Sequence, residues 1–305
     1  MIAPTSRRQF LQGLGAFALL PSLRTVPELI LFRGNILTID PRQPRARAVA
    51  IVDGRFLAVG DDADVRALAG PRTAQVDLQG RTVVPGFIDA HAHPASAGRL
   101  HLRRVDCDLR SLAAIRDAIR ARASRTPAGA WVLGFKFDDT KVEEGRPLTR
   151  QDLDAAAPGH PVYIAHRGGH TGYANSLAFE RAGVSEQTPD PQGGRFDRDP
   201  DTGRLTGKVR ERAADAIEAA IGETFSRDDY REGVALISRM MARAGITSVH
   251  DAYGTPEDLR AYQDARQAGS LAVRVYCLIG SNAIDRMIAA GSAPGWGTSG
   301  SASAP

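Results

Sequence analysis

From Glu28 to Thr82 the apolar residues come in short runs, each cut by turn formers. Leu29-Ile30-Leu31-Phe32 stops at Arg33-Gly34-Asn35, and Ile36-Leu37-Thr38-Ile39 stops at Asp40-Pro41. Ala48-Val49-Ala50-Ile51-Val52 runs into Asp53-Gly54, a two-residue hairpin signal, and Arg55-Phe56-Leu57-Ala58-Val59-Gly60 returns from it. Asp64 to Ala69 fits a helical turn or two, and Ala74 to Leu78 is a further strand ending before Gly80. The pattern predicts a small unit of short strands.

Beyond residue 93 the period changes. Leu112, Ile115 and Ile119 fall at helical spacing behind Ser111, a candidate N-cap. Helices are predicted over 149–157, 176–182, 210–221 and 227–244, and another starts at Thr255-Pro256, with proline at the first helical position. Between them, 131–135, 162–165, 246–250 and 273–279 read as strands, and 193–207 as a polar surface loop or hairpin. Strands alternating with helices predict an α/β fold with a mostly parallel sheet.

The segment Val84-Pro85-Gly86-Phe87-Ile88-Asp89-Ala90-His91-Ala92-His93-Pro94 carries the sharpest chemistry. It reads as a buried strand ending in two histidines at i and i+2. Side chains alternate faces along a strand, so His91 and His93 point the same way. Two imidazoles on one face can grip a divalent metal from one side. Asp89 shares that face and is placed to orient a ring as hydrogen-bond acceptor.

Composition changes this picture little. Of 305 residues, 43% are hydrophobic and 24% charged, ordinary for a globular chain. The net charge of +4 leans on Arg7, Arg8 and Arg24 in the first segment, so it implies no nucleic-acid partner. Cys107 and Cys277 are the only cysteines, too few for a disulfide framework; they read as two reduced, buried thiols, with a single bridge as the alternative in an oxidising compartment. Ser6-Arg7-Arg8-Gln9-Phe10-Leu11-Gln12, followed by a short apolar run, resembles a twin-arginine export signal over residues 1–25. It implies the export machinery as a partner and a periplasmic or exported location. Residues 291–305 are a low-complexity tail of Gly, Ser, Ala, Thr and Pro with one Trp.

The 84–94 segment resembles the first barrel strand of the amidohydrolase superfamily, with its P-G-F-I-D-x-H-x-H signature. Gly169-His170-Thr171-Gly172-Tyr173-Ala174-Asn175-Ser176 is similar to the G-H-x-x-x-x-N-S segment of the YtcJ-like, or amidohydrolase 3, group, which includes N-substituted formamide deformylases. The runs Gly193 to Asp199, Gly203 to Gly207 with Glu211, and Gly245-Ile246-Thr247-Ser248-Val249-His250-Asp251-Ala252 follow in the group's order. Gly168 stands where many members have aspartate, and Lys208 where an apolar residue is usual.

The resemblance implies a partial (β/α)8 barrel over 85–290 behind half of a small β-sandwich over 26–84. It implies metal-dependent hydrolysis of a non-peptide C–N bond, in an amide or formamide substrate, by metal-activated hydroxide. His91 and His93 would hold the metal, zinc first, as one or two ions. His170, beside two glycines, and Asn175 would contact substrate, while His250 and Asp251 read as core. No residue is assigned as catalytic, because the general-base aspartate, the bridging residue and two further histidines of the group have no counterparts here. Fewer candidate strands follow Pro85 than the eight a closed barrel needs. The chain therefore reads as truncated. An inactive fragment or pseudogene product, or a periplasmic binding module, are the alternatives.

Overall fold

A computed structural model describes residues 25–289. The export-type segment and the low-complexity tail lie outside the described residues, apart from Thr25. The chain divides at Gly86–Phe87 into two compact units.

The first unit is built from β1 (Leu29–Phe32), β2 (Asn35–Leu37), β3 (Arg45–Ala46), β4 (Ala48–Val52), β5 (Arg55–Gly60), helix α1 (Asp62–Arg66), β6 (Ala74–Asp77) and β7 (Thr82–Val83). Its strands form two sheets, ordered β5-β4-β1-β6 and β3-β2-β7. Ile36 and Ala46 from one sheet and Val49 from the other share a buried cluster with Leu78. The Asp53-Gly54 turn has positive φ at both residues (48° and 66°), as a type I′ hairpin requires.

The second unit holds two sheets. One is a three-stranded parallel sheet in the order β16-β15-β8, from β8 (Phe87–Ala92), β15 (Ile246–Gly254) and β16 (Arg274–Ile279). Behind it lie α2 (Pro94–Arg103), α7 (Arg227–Arg243) and α8 (Pro256–Gln267), packed through Ala95, Val234, Ala261, Tyr262 and Ala265. Helices α2 and α7 cross backbone to backbone: a Cβ placed on Gly98 would lie 2.2 Å from the Gly233 carbonyl oxygen.

The other sheet has six strands ordered β13-β14-β12-β11-β10-β9. They are β9 (Val105–Asp106), β10 (Val132–Phe137), β11 (Val162–His166), β12 (Thr171–Ala174), β13 (Gly194–Arg198) and β14 (Leu205–Glu211). β9, β10 and β11 run parallel, whereas β12, β14 and β13 add on antiparallel. Alternate side chains serve two cores. Val132, Phe137, Val162, Ile164 and Tyr173 pack with Ile115 and Ile119 of α3 (Leu112–Ala123) and Leu153 of α4 (Arg150–Ala156). Leu133, Tyr163 and Val209 pack with Phe179 of α5 (Ser176–Arg181) and Ile217 of α6 (Ala213–Ile221).

This arrangement corrects the expected series of βα units. Residues 131–135 and 162–165, read as strands of the same series as 84–94, belong to the mixed six-stranded sheet. Among the described strands, only β15 and β16 share a sheet with the histidine-bearing strand. Residues 210–211, expected to open a helix, extend β14 instead.

Asp152 supplies a pH-dependent element. It closes the capping box with Thr149 and accepts from Arg146 Nη1 at 2.6 Å. Burial pushes its carboxyl up, but the Arg146 and Thr149 hydrogen bonds outweigh that and hold it at about 2, below the ordinary 3.8. A depressed folded value means the ionised form stabilises the fold above the unfolded value, and the contribution is lost as pH falls through the folded one. Asp152→Asn should therefore be clearly less stable than wild type near neutrality, and the gap should close between about pH 4 and about pH 2. Urea unfolding across that range measures it; a gap independent of pH would show that the charge contributes nothing.

Candidate metal centre

β8 pairs with β15 alone among the described strands, with Asp89 opposite Val249 and Ala92 opposite Asp251. The register shifts between those pairs, so simple alternation fails over the last residues. His91 and His93 are both exposed, and their ring centroids are 5.5 Å apart with planes at 84°. Among the described residues, none hydrogen-bonds either imidazole. The expected pairing of Asp89 with a histidine ring is not found. Its Oδ1 instead accepts the His91 backbone N–H at 3.1 Å, a local side-chain-to-backbone bond two residues on.

Behind the histidines the structure is tightly bonded. Asp251 is 2% exposed and accepts from the Tyr262 hydroxyl at 2.5 Å; that oxygen in turn accepts the Ala95 N–H at 3.0 Å. Burial pushes the Asp251 carboxyl up, against the pull of the Tyr262 hydrogen bond. One helical turn beyond Ala95, Arg99 pairs with buried Asp258 at 2.5 Å and lies over the Tyr230 ring, 4.1 Å from its centroid. His250 is half-buried against the Tyr276 ring, 5.3 Å between centroids.

The substrate-contact candidates separate. His170 is exposed, and its Nδ1 lies 3.1 Å from Glu211 Oε2, with Glu211 at φ 48°. Asn175 is fully buried. Its Oδ1 accepts from Val162 N and Ala178 N, both at 2.9 Å, and its Nδ2 donates to His160 O at 2.9 Å. The structure corrects the reading of Asn175 as a substrate contact: the side chain is buried, caps α5 and ties that cap to β11, with both polar atoms engaged by backbone.

A second set of metal-type donors, not singled out by the sequence, lies at the carboxyl ends of β10 and β11. Asp138, Asp139 and His166 place ligand atoms within 4.8 Å of one another. Its charge is already answered: Lys208 Nζ is 3.7 Å from Asp139 and Arg167 is 3.4 Å from Asp138. His166 Nδ1 accepts the Gly168 N–H at 3.1 Å, which places the proton of a neutral ring on Nε2, the atom facing Asp139 at 3.5 Å. The cluster is better matched to an acid–imidazole–ammonium network than to a cation. Cys107 and Cys277 are both free thiols, in agreement with the reduced reading; Cys107 is buried and Cys277 half-buried.

Comparison with known proteins decides the family. The amidohydrolase family model (Amidohydro_3) matches residues 74–301. The chain belongs to the amidohydrolase family. It is 34% identical to the N-substituted formamide deformylase of Arthrobacter pascens over 250 residues, covering 80% of this chain and 46% of that protein. It is 29% identical to the putative amidohydrolase YtcJ of Bacillus subtilis (strain 168), covering 83% of this chain and 49% of that protein. An uncharacterized metal-dependent hydrolase from Pyrococcus horikoshii OT3 superposes with a TM-score of 0.57 at 24% identity, over 86% of this chain and 50% of that one. This amidohydrolase chain spans about half the length of the relatives it matches.

Proposed function

We propose that this amidohydrolase chain carries the metal-binding strand of a metal-dependent hydrolase acting on a non-peptide C–N bond of an amide or formamide. The carrying observation is the pair of imidazoles of His91 and His93, 5.5 Å apart at the carboxyl end of a parallel strand and without a hydrogen bond to any described residue. Neutral imidazole is a good ligand for zinc and similar divalent ions, so the donor set fits such an ion. When bound, the ion supplies Lewis acidity, polarising a carbonyl and acidifying water.

The chain's own residues supply orientation. His91 lies on β8, and His93 follows one residue past its end at the N-cap of α2. His170 is the proposed substrate contact. Glu211 orients its ring from a backbone conformation that non-glycine residues seldom adopt, as functional positions often do. N-substituted formamides, named in the Arthrobacter relative, are the first substrates to try.

Catalytic zinc sites draw on about three protein ligands. Two histidines predict weak but measurable binding by this chain. Co2+ titration followed by absorption should show a histidine-dependent site whose affinity falls at least roughly tenfold in His91→Ala and in His93→Ala. Equal binding by wild type and both variants would overturn the assignment.

A further inference from the structure

We propose that Tyr262 and Asp251 are positioning residues that fix the backbone turn carrying His93, and with it the disposition of the His91–His93 pair. The inference deepens the metal reading above and rests on it.

The first N–H groups of a helix have no partner within it and need one from outside. The usual device is a Ser, Thr, Asp or Asn side chain at the N-cap. Here His93 holds that place, at φ −126° and ψ 62°, and makes no side-chain cap bond. Its imidazole stays free for another task. Pro94, next in line, has no N–H to satisfy. The first donor that needs an acceptor is therefore the amide of Ala95, a residue with no solvent exposure. A buried, unpaired amide costs roughly as much as a lost hydrogen bond.

The acceptor comes from a distant part of the chain. Tyr262, on α8, offers its oxygen to Ala95 N at 3.0 Å. Its hydrogen is directed to Asp251 at 2.5 Å. That leaves an oxygen lone pair for Ala95 and gives the relay one direction. Asp251 sits opposite Ala92, one residue before His93, on the strand paired with β8. The relay thus grips the turn from both sides: Asp251 beside the strand end, and Tyr262 at the start of the helix. The Arg99–Asp258 pair ties the next turn of α2 to α8 and keeps the two helices in step. A cap built from another helix performs the work His93 would otherwise do, and frees its ring.

Hydrogen exchange and Co2+ binding on the full chain test the relay together. Tyr262→Phe keeps the ring and removes the bridging oxygen. It should speed exchange across residues 91–97 at least tenfold while protection in β10 and β11 is unchanged. It should also weaken Co2+ and alter the absorption of the complex. Asp251→Asn keeps a carbonyl acceptor for the phenol and should stay near wild type, whereas Asp251→Ala should behave like Tyr262→Phe. Thr149→Ala, which loses a remote helix cap, should be less stable yet leave Co2+ affinity and the 91–97 exchange unchanged.

A folded Tyr262→Phe with wild-type exchange at 91–97 overturns the inference. If Tyr262→Phe does not fold, Asp251→Asn and Asp251→Ala decide, and equal exchange in the two overturns it. If wild type binds no Co2+ through His91, the metal reading falls, and the exchange data alone then judge whether the relay holds the turn.

Discussion

Gly98→Ala is expected to destabilise the chain by about 3 kcal/mol or more, the upper range for forcing atoms into a filled contact. Two effects of opposite sign compete. In an exposed helix the exchange of glycine for alanine gains roughly 1 kcal/mol, because alanine restricts the unfolded chain and favours helix. At this position the new Cβ would lie 2.2 Å from the Gly233 carbonyl oxygen and 2.5 Å from its carbon. Both are backbone atoms of α7, so no side chain can rotate away and the helices must separate. Gly233→Ala should cost less, since its nearest contacts, with Arg99 N and Gly98 C, are 2.9 Å. Urea unfolding of the two variants gives the order directly. A stabilised Gly98→Ala would mean that α2 and α7 do not cross this closely. The consequence reaches the candidate site, because α2 begins one residue after His93.

The histidine strand is legible as a strand because its apolar run and its histidines lie within eleven consecutive residues, but the expected burial is not found: Phe87 and Ile88 are 58% and 67% exposed, and the alternation breaks at the register shift. The first unit was legible for the same reason: β1, β4 and β5 have the bounds their apolar runs suggest, and the Asp-Gly turn dictates the hairpin. What failed depends on contacts distant in sequence. A continuous apolar run such as Val162 to Ala165 is equally at home in a barrel and in any sheet covered on both faces. Only its partner shows the difference, and β11 pairs with antiparallel β12. β12 itself, Thr171–Ala174, is too short and too mixed to show a period.

Within the site the same division holds. His91 and His93 could be named from spacing, but the relay joins residues 95, 251 and 262. No local rule links an alanine amide to a tyrosine 167 positions away. Asp251 looked like a core residue, and burial bears that out, but its partner gives the burial a purpose. Asp89 was misjudged because alternation ignores the register shift in β8 and the ease with which an aspartate bonds the backbone two residues on.

Asn175→Ala and His170→Ala separate structure from function within one motif. Asn175 is fully buried and satisfies two strand and cap amides and one carbonyl. Truncation leaves two buried amides and a part-buried carbonyl without this partner, each costing about 1–3 kcal/mol unless water reaches it. The costs do not add fully, so a loss of about 3–5 kcal/mol is expected, or a melting temperature lower by on the order of 10 °C. Asn175→Asp should fall between, since it keeps the acceptor for Val162 and Ala178 but loses the donor to His160 and buries a carboxylate. His170 is exposed, and its loss should move stability by no more than about 0.5 kcal/mol. Thermal melts of the three variants are sufficient, and they need neither substrate nor metal. If Asn175→Ala melts with wild type, its amide is not held as described and the substrate-contact reading returns. If His170→Ala is as unstable as Asn175→Ala, the His170–Glu211 pair is part of the scaffold, and the role proposed for it at the substrate is lost.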